Sequence, residues 1–158
     1  ARGVETAAGH VLDYATWQNG SANADVVIVT GNYSSSWETP TIGGNQYLVL
    51  IDTLASDLTE RADAFLPAAT FAEKAGTFEN VNNVLQTFEQ ALTPIGHSSS
   101  EAQIAMDLHA LVNDTLSTTF NAATVRRRMA DSGIGKMLDV KQSQSVNRIE
   151  SDMPLSEV

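Results

Sequence analysis

Two uninterrupted apolar runs, at residues 26–29 and 47–51, constrain the fold of this chain most. A strand that is apolar at every position has both faces buried, which is typical of a parallel sheet. Polar residues follow each run, 30–32 after the first and 52–53 after the second. The runs therefore predict a parallel sheet with two polar loops at the carboxyl ends of its strands.

Further elements are predicted around these strands. Apolar spacing indicates a helix over residues 10–18 that ends at Asn19-Gly20, and residues 33–46 are predicted to form a loop. Ser56 caps a short helix that runs through Ala62, and residues 64–66 form a third short strand that Pro67 closes. Strand, helix and strand in this order predict a βαβ unit.

The second half of the chain predicts two more helices. Residues 98–101 are interpreted as a capping box, with Ser98 at the cap and Glu101 three residues later. The helix that this box begins carries three apolar residues on one face: Ile104, Leu108 and Leu111. The next helix starts near Asn121 and has Arg126 and Arg127 largely outward, while Ala122, Val125 and Met129 point inward.

These elements indicate the domain organisation. We predict one α/β domain over residues 1–132, built as a layered, Rossmann-like and mostly parallel sheet flanked by helices. The periodic pattern fades after Gly133. Residues 133–158 are therefore predicted to form a polar and mobile tail, less ordered than the domain.

Charge and composition exclude several classes of function. The chain has 9 basic and 19 acidic residues, a net charge of -10 and no cysteine. An acidic surface repels phosphate backbones and anionic membranes, so no nucleic acid is expected as a partner. Without cysteine, disulfides, cluster ligands and a thiol nucleophile are excluded.

The first ten residues lack the apolar stretch of a signal peptide, and no apolar run is long enough for membrane insertion, which favours a cytoplasmic location.

Motifs for catalysis or metal binding are weak. Residues 132–136 look like the end of a phosphate-binding loop, but Ala130 and Met137 stand where that motif needs glycine and a hydroxyl residue. There is no Gly-x-Ser-x-Gly motif for a hydrolase nucleophile. No two histidines share a helical face at metal-ligand spacing: His10, His97 and His109. We therefore predict no catalytic and no metal-binding residue.

The loops after the first two strands are the better candidates for a ligand site. Ligands of open α/β sheets bind beyond the carboxyl ends of the strands, where Gly31 and Asp52 stand. Glycine at position 31 would let a ligand approach the backbone closely. An ordinary turn at each position is an equally good interpretation of these residues.

Residues 62–80 read ADAFLPAATFAEKAGTFEN. This segment resembles a signature of the molybdopterin oxidoreductase superfamily, Ala-Asp-x-x-Leu-Pro-Ala followed by Ala-Glu-Lys, Gly-Thr-Phe and Asn. It is most similar to the large iron–sulfur subunit of NADH–quinone oxidoreductase (respiratory complex I) and to formate dehydrogenase catalytic chains. The resemblance extends over roughly residues 25–112.

The resemblance implies an α/β layer of a larger oxidoreductase chain that forms one wall of a pterin-cofactor site. Together with Gly31, it implies these candidate cofactor-binding residues: Asp52, Glu73, Gly76, Thr77 and Asn80. Gly76 would allow close backbone approach, and Thr77 and Asn80 could hydrogen-bond a polar cofactor edge. Glu73 is as well suited to accept hydrogen bonds from buried backbone amides.

The sequence departs from the family pattern after Asn80. Asn82 stands where the family often has glutamate, and Val84 stands where it often has arginine. Loss of a guanidinium removes the natural partner of an anionic pterin phosphate. We expect no cofactor to be bound by this chain alone. The full-length protein could hold a molybdopterin, and iron–sulfur clusters are expected only on upstream domains.

We consider three candidate functions, of which the resemblance implies the first two. The first is a non-catalytic structural domain of a complex I-type large subunit, peripheral to the inner membrane through its complex. Its partners would be other domains of that subunit and other subunits. The second is a cofactor-wall domain of a formate dehydrogenase-like molybdenum enzyme. The third is a free-standing α/β module that binds a small ligand or a protein near Gly31 and Asp52, since a fold does not fix a function.

Overall fold

A computed structural model describes residues 2–31, 42–138 and 140–142 of the chain. These residues form, in order, α1 (Arg2–Ala8), α2 (Tyr14–Ser21), β1 (Val26–Thr30), β2 (Tyr47–Asp52), α3 (Asp57–Arg61), β3 (Ala64–Pro67), a first 3₁₀ helix (Phe71–Glu73), β4 (Gly76–Glu79), β5 (Leu85–Phe88), α4 (Glu101–Val112), α5 (Ala122–Asp131), a second 3₁₀ helix (Gly135–Leu138) and β6 (Val140–Gln142). None of the described helices is long and apolar enough to cross a membrane.

The first sheet confirms the predicted α/β class. Its three strands are parallel in the order β1-β2-β3. On one face Leu48 and Leu50 of β2 are fully buried and pack with Leu58 of α3. On the other face Ile51 packs with Ile104 of α4. Helices therefore cover both faces of the central strand β2.

Strand β1 is less buried than its sequence predicts. Val26 is 54% exposed and Ile28 is 53% exposed, although Val27 between them is buried. Val26 and Ile28 lie on the same face of β1, and at this edge of the sheet that face is open to solvent among the described residues. The prediction that this run is buried on both faces was wrong.

The N-terminal helices lie elsewhere than predicted. Gly9 has a φ of +77° and its N–H donates to the Glu5 carbonyl, which ends α1 at Ala8. Helix α2 begins after Asp13, whose Oδ1 accepts a hydrogen bond from Thr16 N at 2.7 Å. A single helix over 10–18 was thus wrong, and so was its end at Asn19-Gly20, because α2 continues to Ser21.

The predicted capping box of α4 was also wrong. The N-cap is Ser100, whose hydroxyl accepts a hydrogen bond from Gln103 N at 3.1 Å. Ser98 instead donates its hydroxyl to the Ile95 carbonyl.

Leu111 was expected on the inner face, but it is 78% exposed because α4 extends beyond the part of the sheet that it covers.

A second sheet, absent from the sequence-based prediction, follows the first. Strands β4 and β5 form an antiparallel hairpin, and β6 pairs parallel with β5. Met137 in the second 3₁₀ helix is buried, and Lys136 pairs with Glu79 of β4. Ordered structure therefore continues past residue 133. Residues 33–41 of the predicted loop and residues 139 and 143–158 of the predicted tail lie outside the described residues.

Candidate functional site

Two cavities lie on either side of an ion pair between Lys74 and Glu101. Lys74 Nζ is 2.6 and 2.7 Å from the two carboxylate oxygens of Glu101. Lys74 lines both cavities. We call the smaller one, which contains Asp52, the Asp52 pocket, and the larger one, which contains Arg126, the Arg126 cavity.

The Asp52 pocket lies at the carboxyl end of the parallel sheet. Its volume is about 240 Å³, and its polar lining includes Asp52, Thr53, Thr70, Lys74 and Glu101. Gly31 also lines it, with a φ of +66° and its N–H donating to the Ile51 carbonyl at 3.3 Å. Two predicted site residues, Gly31 and Asp52, therefore meet where an open α/β sheet holds ligands.

Asp52 is the chemically conspicuous group of this pocket. It is only 6% exposed. Its Oδ1 accepts hydrogen bonds from Thr53 N at 2.7 Å and, weakly, from Leu54 N at 3.5 Å. Its buried Oδ2 has no hydrogen-bond partner among the described residues. Burying a carboxylate oxygen without a partner costs free energy, so a ligand that donates a hydrogen bond to Oδ2 would be stabilised here.

Glu73 is held by hydrogen bonds within the chain. Its Oε2 accepts from Thr70 N at 2.8 Å and from the Thr70 hydroxyl at 2.9 Å, and its Oε1 accepts from Ile95 N at 3.2 Å. The Thr70 hydrogen bonds, with a smaller effect of Ile95, lower the pKa of Glu73 below its ordinary value despite its burial. This carboxylate joins the first 3₁₀ helix to the segment before α4.

Gly76 lies against an aromatic ring of the hairpin. A Cβ at this position would lie 2.7 Å from Phe88 Cζ, closer than real side chains approach. The Phe88 ring stacks in turn on Phe78, with ring centroids 4.6 Å apart. The space that glycine leaves is thus filled by Phe88.

Thr77 and Arg126 connect β4 with α5. One guanidinium nitrogen of Arg126 donates to the Thr77 hydroxyl at 3.1 Å. Arg126 was expected to point outward, but it is half-buried and lines the Arg126 cavity of about 370 Å³, whereas Arg127 is exposed as predicted. Periodicity misplaced Arg126 because it identifies a helix face and not a partner 49 residues away.

Asn80 closes the turn between β4 and β5. Its Oδ1 accepts from Asn82 N at 2.9 Å and from Val84 N at 3.1 Å. Its Nδ2 donates to Gln86 Oε1 at 3.1 Å. An asparagine that binds nearby backbone amides in this way stabilises a turn.

The predicted residues therefore fall into separate places. Gly31 and Asp52 share the Asp52 pocket, Glu73 lines the Arg126 cavity, and the others lie along the hairpin: Gly76, Thr77 and Asn80. Sequence reasoning missed Lys74, Glu101 and Arg126 as cavity-lining residues. The Ala-Glu-Lys element of the signature was a signal for Lys74, but nothing local indicates its pairing with Glu101.

Within the part of the chain that the structure describes, no group of three or more His, Cys, Asp or Glu residues could hold a metal ion. The cavities offer carboxylates, hydroxyls and two cationic side chains instead. This arrangement of described residues can bind polar groups.

Comparisons with known proteins identify a family and several relatives. A family model described as "Molybdopterin oxidoreductase" matches residues 18–110. The chain is similar to the probable oxidoreductase YjgC of Bacillus subtilis, with 37% identity over 62 residues, which are 39% of this chain and 6% of that protein.

It is also similar to two proteins named as the G subunit of NADH-quinone oxidoreductase. The one from Streptomyces coelicolor is 44% identical over 48 residues, 30% of this chain and 6% of that protein. The one from Shewanella oneidensis is 43% identical over 49 residues, 31% of this chain and 5% of that protein. The matched segments are thus a small part of each relative's length.

Proposed function

We propose a function from one premise, which is that the chain belongs to the molybdopterin oxidoreductase family. Within that family we infer a non-catalytic structural domain of a complex I-type NADH–quinone oxidoreductase large subunit. The similarity to two proteins named as the G subunit of NADH-quinone oxidoreductase supports this assignment. The chemistry of the full protein would then be carried by other domains.

One observation carries this proposal: at four of the six candidate cofactor residues, the side chain or the space beside the glycine is already occupied by another part of the chain. Glu73 accepts three hydrogen bonds from the chain, and Gly76 makes room for Phe88. Thr77 accepts a hydrogen bond from Arg126, and Asn80 closes a turn. Polar groups that are already paired gain little from a cofactor, because binding would exchange one hydrogen bond for another.

Exposed apolar side chains support a role in docking onto neighbouring polypeptide. Leu111, Val112 and Leu116 lie at and just after the end of α4 and are 78%, 85% and 94% exposed. Large apolar side chains grouped on a surface are typical of protein interfaces. We propose that this surface packs against other domains of the same subunit or other subunits of the complex, in an assembly peripheral to the inner membrane.

A second candidate, a wall of a molybdopterin site, is favoured by the Asp52 pocket and the Arg126 cavity together. The unpartnered Oδ2 of Asp52 fits a hydrogen-bond donor edge, such as that of a pterin ring, and Arg126 fits an anionic group. Asp52 itself does not suit a phosphate, because two anions would meet without a cation between them. Asp52 therefore fits the ring end of such a cofactor, and Arg126 fits its anionic end. The ion-paired side chains of Lys74 and Glu101 lie between these two residues.

The metal content of the native protein distinguishes the two candidates. The full-length polypeptide that carries this chain is purified in its complex, and molybdenum is measured by mass spectrometry beside NADH oxidation. The structural role predicts no stoichiometric molybdenum. Molybdenum at one atom per chain that is lost in Asp52→Asn or Arg126→Gln, but kept in the neighbouring control Arg127→Gln, would establish the cofactor wall and refute the structural role.

A further inference from the structure

The Asp52 pocket has features of a site for a positively charged side chain. Asp52 Oδ2 is buried, lines a cavity and lacks a hydrogen-bond donor among the described residues. The basic residue that lines this pocket, Lys74, is bound by both oxygens of Glu101. Among the described residues the carboxylate of Asp52 is therefore left without a cation, in a chain whose net charge is -10.

The size of the pocket limits what it can hold. Its volume of about 240 Å³ is below the roughly 300–1,000 Å³ of pockets that enclose drug-sized ligands. One long side chain with a planar or compact cationic head suits this space better than a dinucleotide does. A guanidinium supplies several N–H donors in a fixed plane, and an ammonium supplies three.

One large apolar side chain at the pocket is exposed. Phe71 lines the pocket and is 77% exposed, and Leu54, whose backbone N–H points to Asp52, is 64% exposed. In protein interfaces an energetically dominant residue, often arginine, enters a desolvated pocket surrounded by contacts that exclude water. Phe71 is placed to make such a surrounding contact.

We propose that the Asp52 pocket binds an arginine or lysine side chain presented by a neighbouring polypeptide. The cationic head donates to Asp52 Oδ2, and the apolar part of the side chain packs against Phe71. This inference adds a binding partner to the proposed structural role. It rests on that role in one respect, which is that a neighbouring polypeptide of the complex supplies the basic side chain. The interface is thereby assigned a partner of defined chemistry, an apolar surface that carries one protruding basic residue.

The test uses a matched pair of small ligands on the full 158-residue chain. N-acetylargininamide carries the guanidinium, and N-acetylcitrullinamide has nearly the same shape without the charge. Amide signals are followed by NMR during titration. We expect saturable shifts at Gly31, Thr53 and Thr70 with a dissociation constant of about 1–10 mM for the arginine compound, and binding about tenfold weaker for the citrulline compound.

Two variants locate the effect. Asp52→Asn should weaken arginine binding about tenfold, while Asp57→Asn, which removes one charge from the exposed start of α3, should leave it unchanged. Equal binding of both compounds to the unsubstituted chain would overturn the proposal even if Asp52→Asn did not fold. Tighter binding of a free pterin, lost in Asp52→Asn, would overturn it in favour of a cofactor edge. The molybdenum measurement is independent of both results, so failure of the structural role would be recognised separately.

Discussion

Lys74 and Glu101, 27 residues apart in sequence, form an ion pair that joins the end of the first 3₁₀ helix to the first turn of α4. Both carboxylate oxygens lie within 2.7 Å of Lys74 Nζ, and the two side chains are 21% and 36% exposed. This contact separates the Asp52 pocket from the Arg126 cavity. The ion pair also holds the first 3₁₀ helix and α4 together between these two cavities.

The first prediction concerns the energy of this pair. Lys74→Gln or Glu101→Gln should each lower the free energy of unfolding by about 1 kcal/mol or less, because solvent screens a partly exposed pair. The reversed pair, Lys74→Glu with Glu101→Lys, should recover most of the loss. Urea unfolding at low and high salt measures both. The reversed pair is also compared with Lys74→Glu alone and Glu101→Lys alone. If its loss of unfolding free energy equalled the sum of these two losses, the ion pair would not be what stabilises this contact.

The second prediction concerns acid sensitivity at Glu73. Its pKa is lowered by the Thr70 hydrogen bonds, so its contribution to stability is present above the unfolded-state value near 4.5 and is lost as pH falls through the lower folded-state value. Glu73→Gln should lower the melting temperature at pH 7 by roughly 3–8 °C, because an amide hydrogen would face N–H donors.

The difference between Glu73→Gln and the unsubstituted chain should begin to shrink below the unfolded-state pKa of about 4.5, and it should be lost as pH falls through the lower folded-state pKa of Glu73. Asp13, Asp63 and Asp107 also have pKa values lowered by hydrogen bonds, so all curves decline in acid. The exposed Glu89→Gln serves as the control and should follow the unsubstituted chain. A constant difference at every pH would show that the ionised form of Glu73 does not matter.

The third prediction concerns the close approach at Gly76. Gly76→Ala should destabilise the chain by about 1–2 kcal/mol, since its Cβ would lie 2.7 Å from Phe88 Cζ and the ring must shift. Gly20→Ala, in α2 with no atom within 4 Å of the added Cβ, should be neutral or stabilising by up to about 1 kcal/mol. Thermal unfolding compares the two. In a Phe88→Leu background the cost of Gly76→Ala should fall, and an unchanged cost would contradict the steric explanation.

The sequence predicted the first sheet because β1 and β2 contain continuous apolar runs. Such a run can be recognised without knowing which residues it contacts. It missed the second sheet because β4 and β5 have four residues each and mix polar with apolar positions. Strand β6 depends on pairing with Leu85, far away in sequence. The periodic signal for these strands is too short to distinguish them from loops.

The candidate site, like the fold, was predictable only in part. Gly31 and Asp52 follow recognisable strands, and the carboxyl ends of parallel strands meet at one edge, so their meeting in the Asp52 pocket follows from topology. The Lys74–Glu101 and Arg126–Thr77 contacts could not be foreseen, because each joins residues whose proximity is created by the packing of α4 and α5. A charged residue on a helix has no local signal for its partner.

The last prediction tests which serine begins α4. Ser100 accepts a hydrogen bond from Gln103 N and satisfies one of the free N–H groups of the first turn, whereas Ser98 donates to the Ile95 carbonyl outside the helix. Ser100→Ala should therefore lower the free energy of unfolding by about 1 kcal/mol. Ser98→Ala, the matched control two residues earlier, should cost less than about half as much, since its exposed hydroxyl can exchange this bond for water. Urea unfolding of both variants decides the point, and a larger cost at Ser98 than at Ser100 would restore the capping box that the sequence suggested.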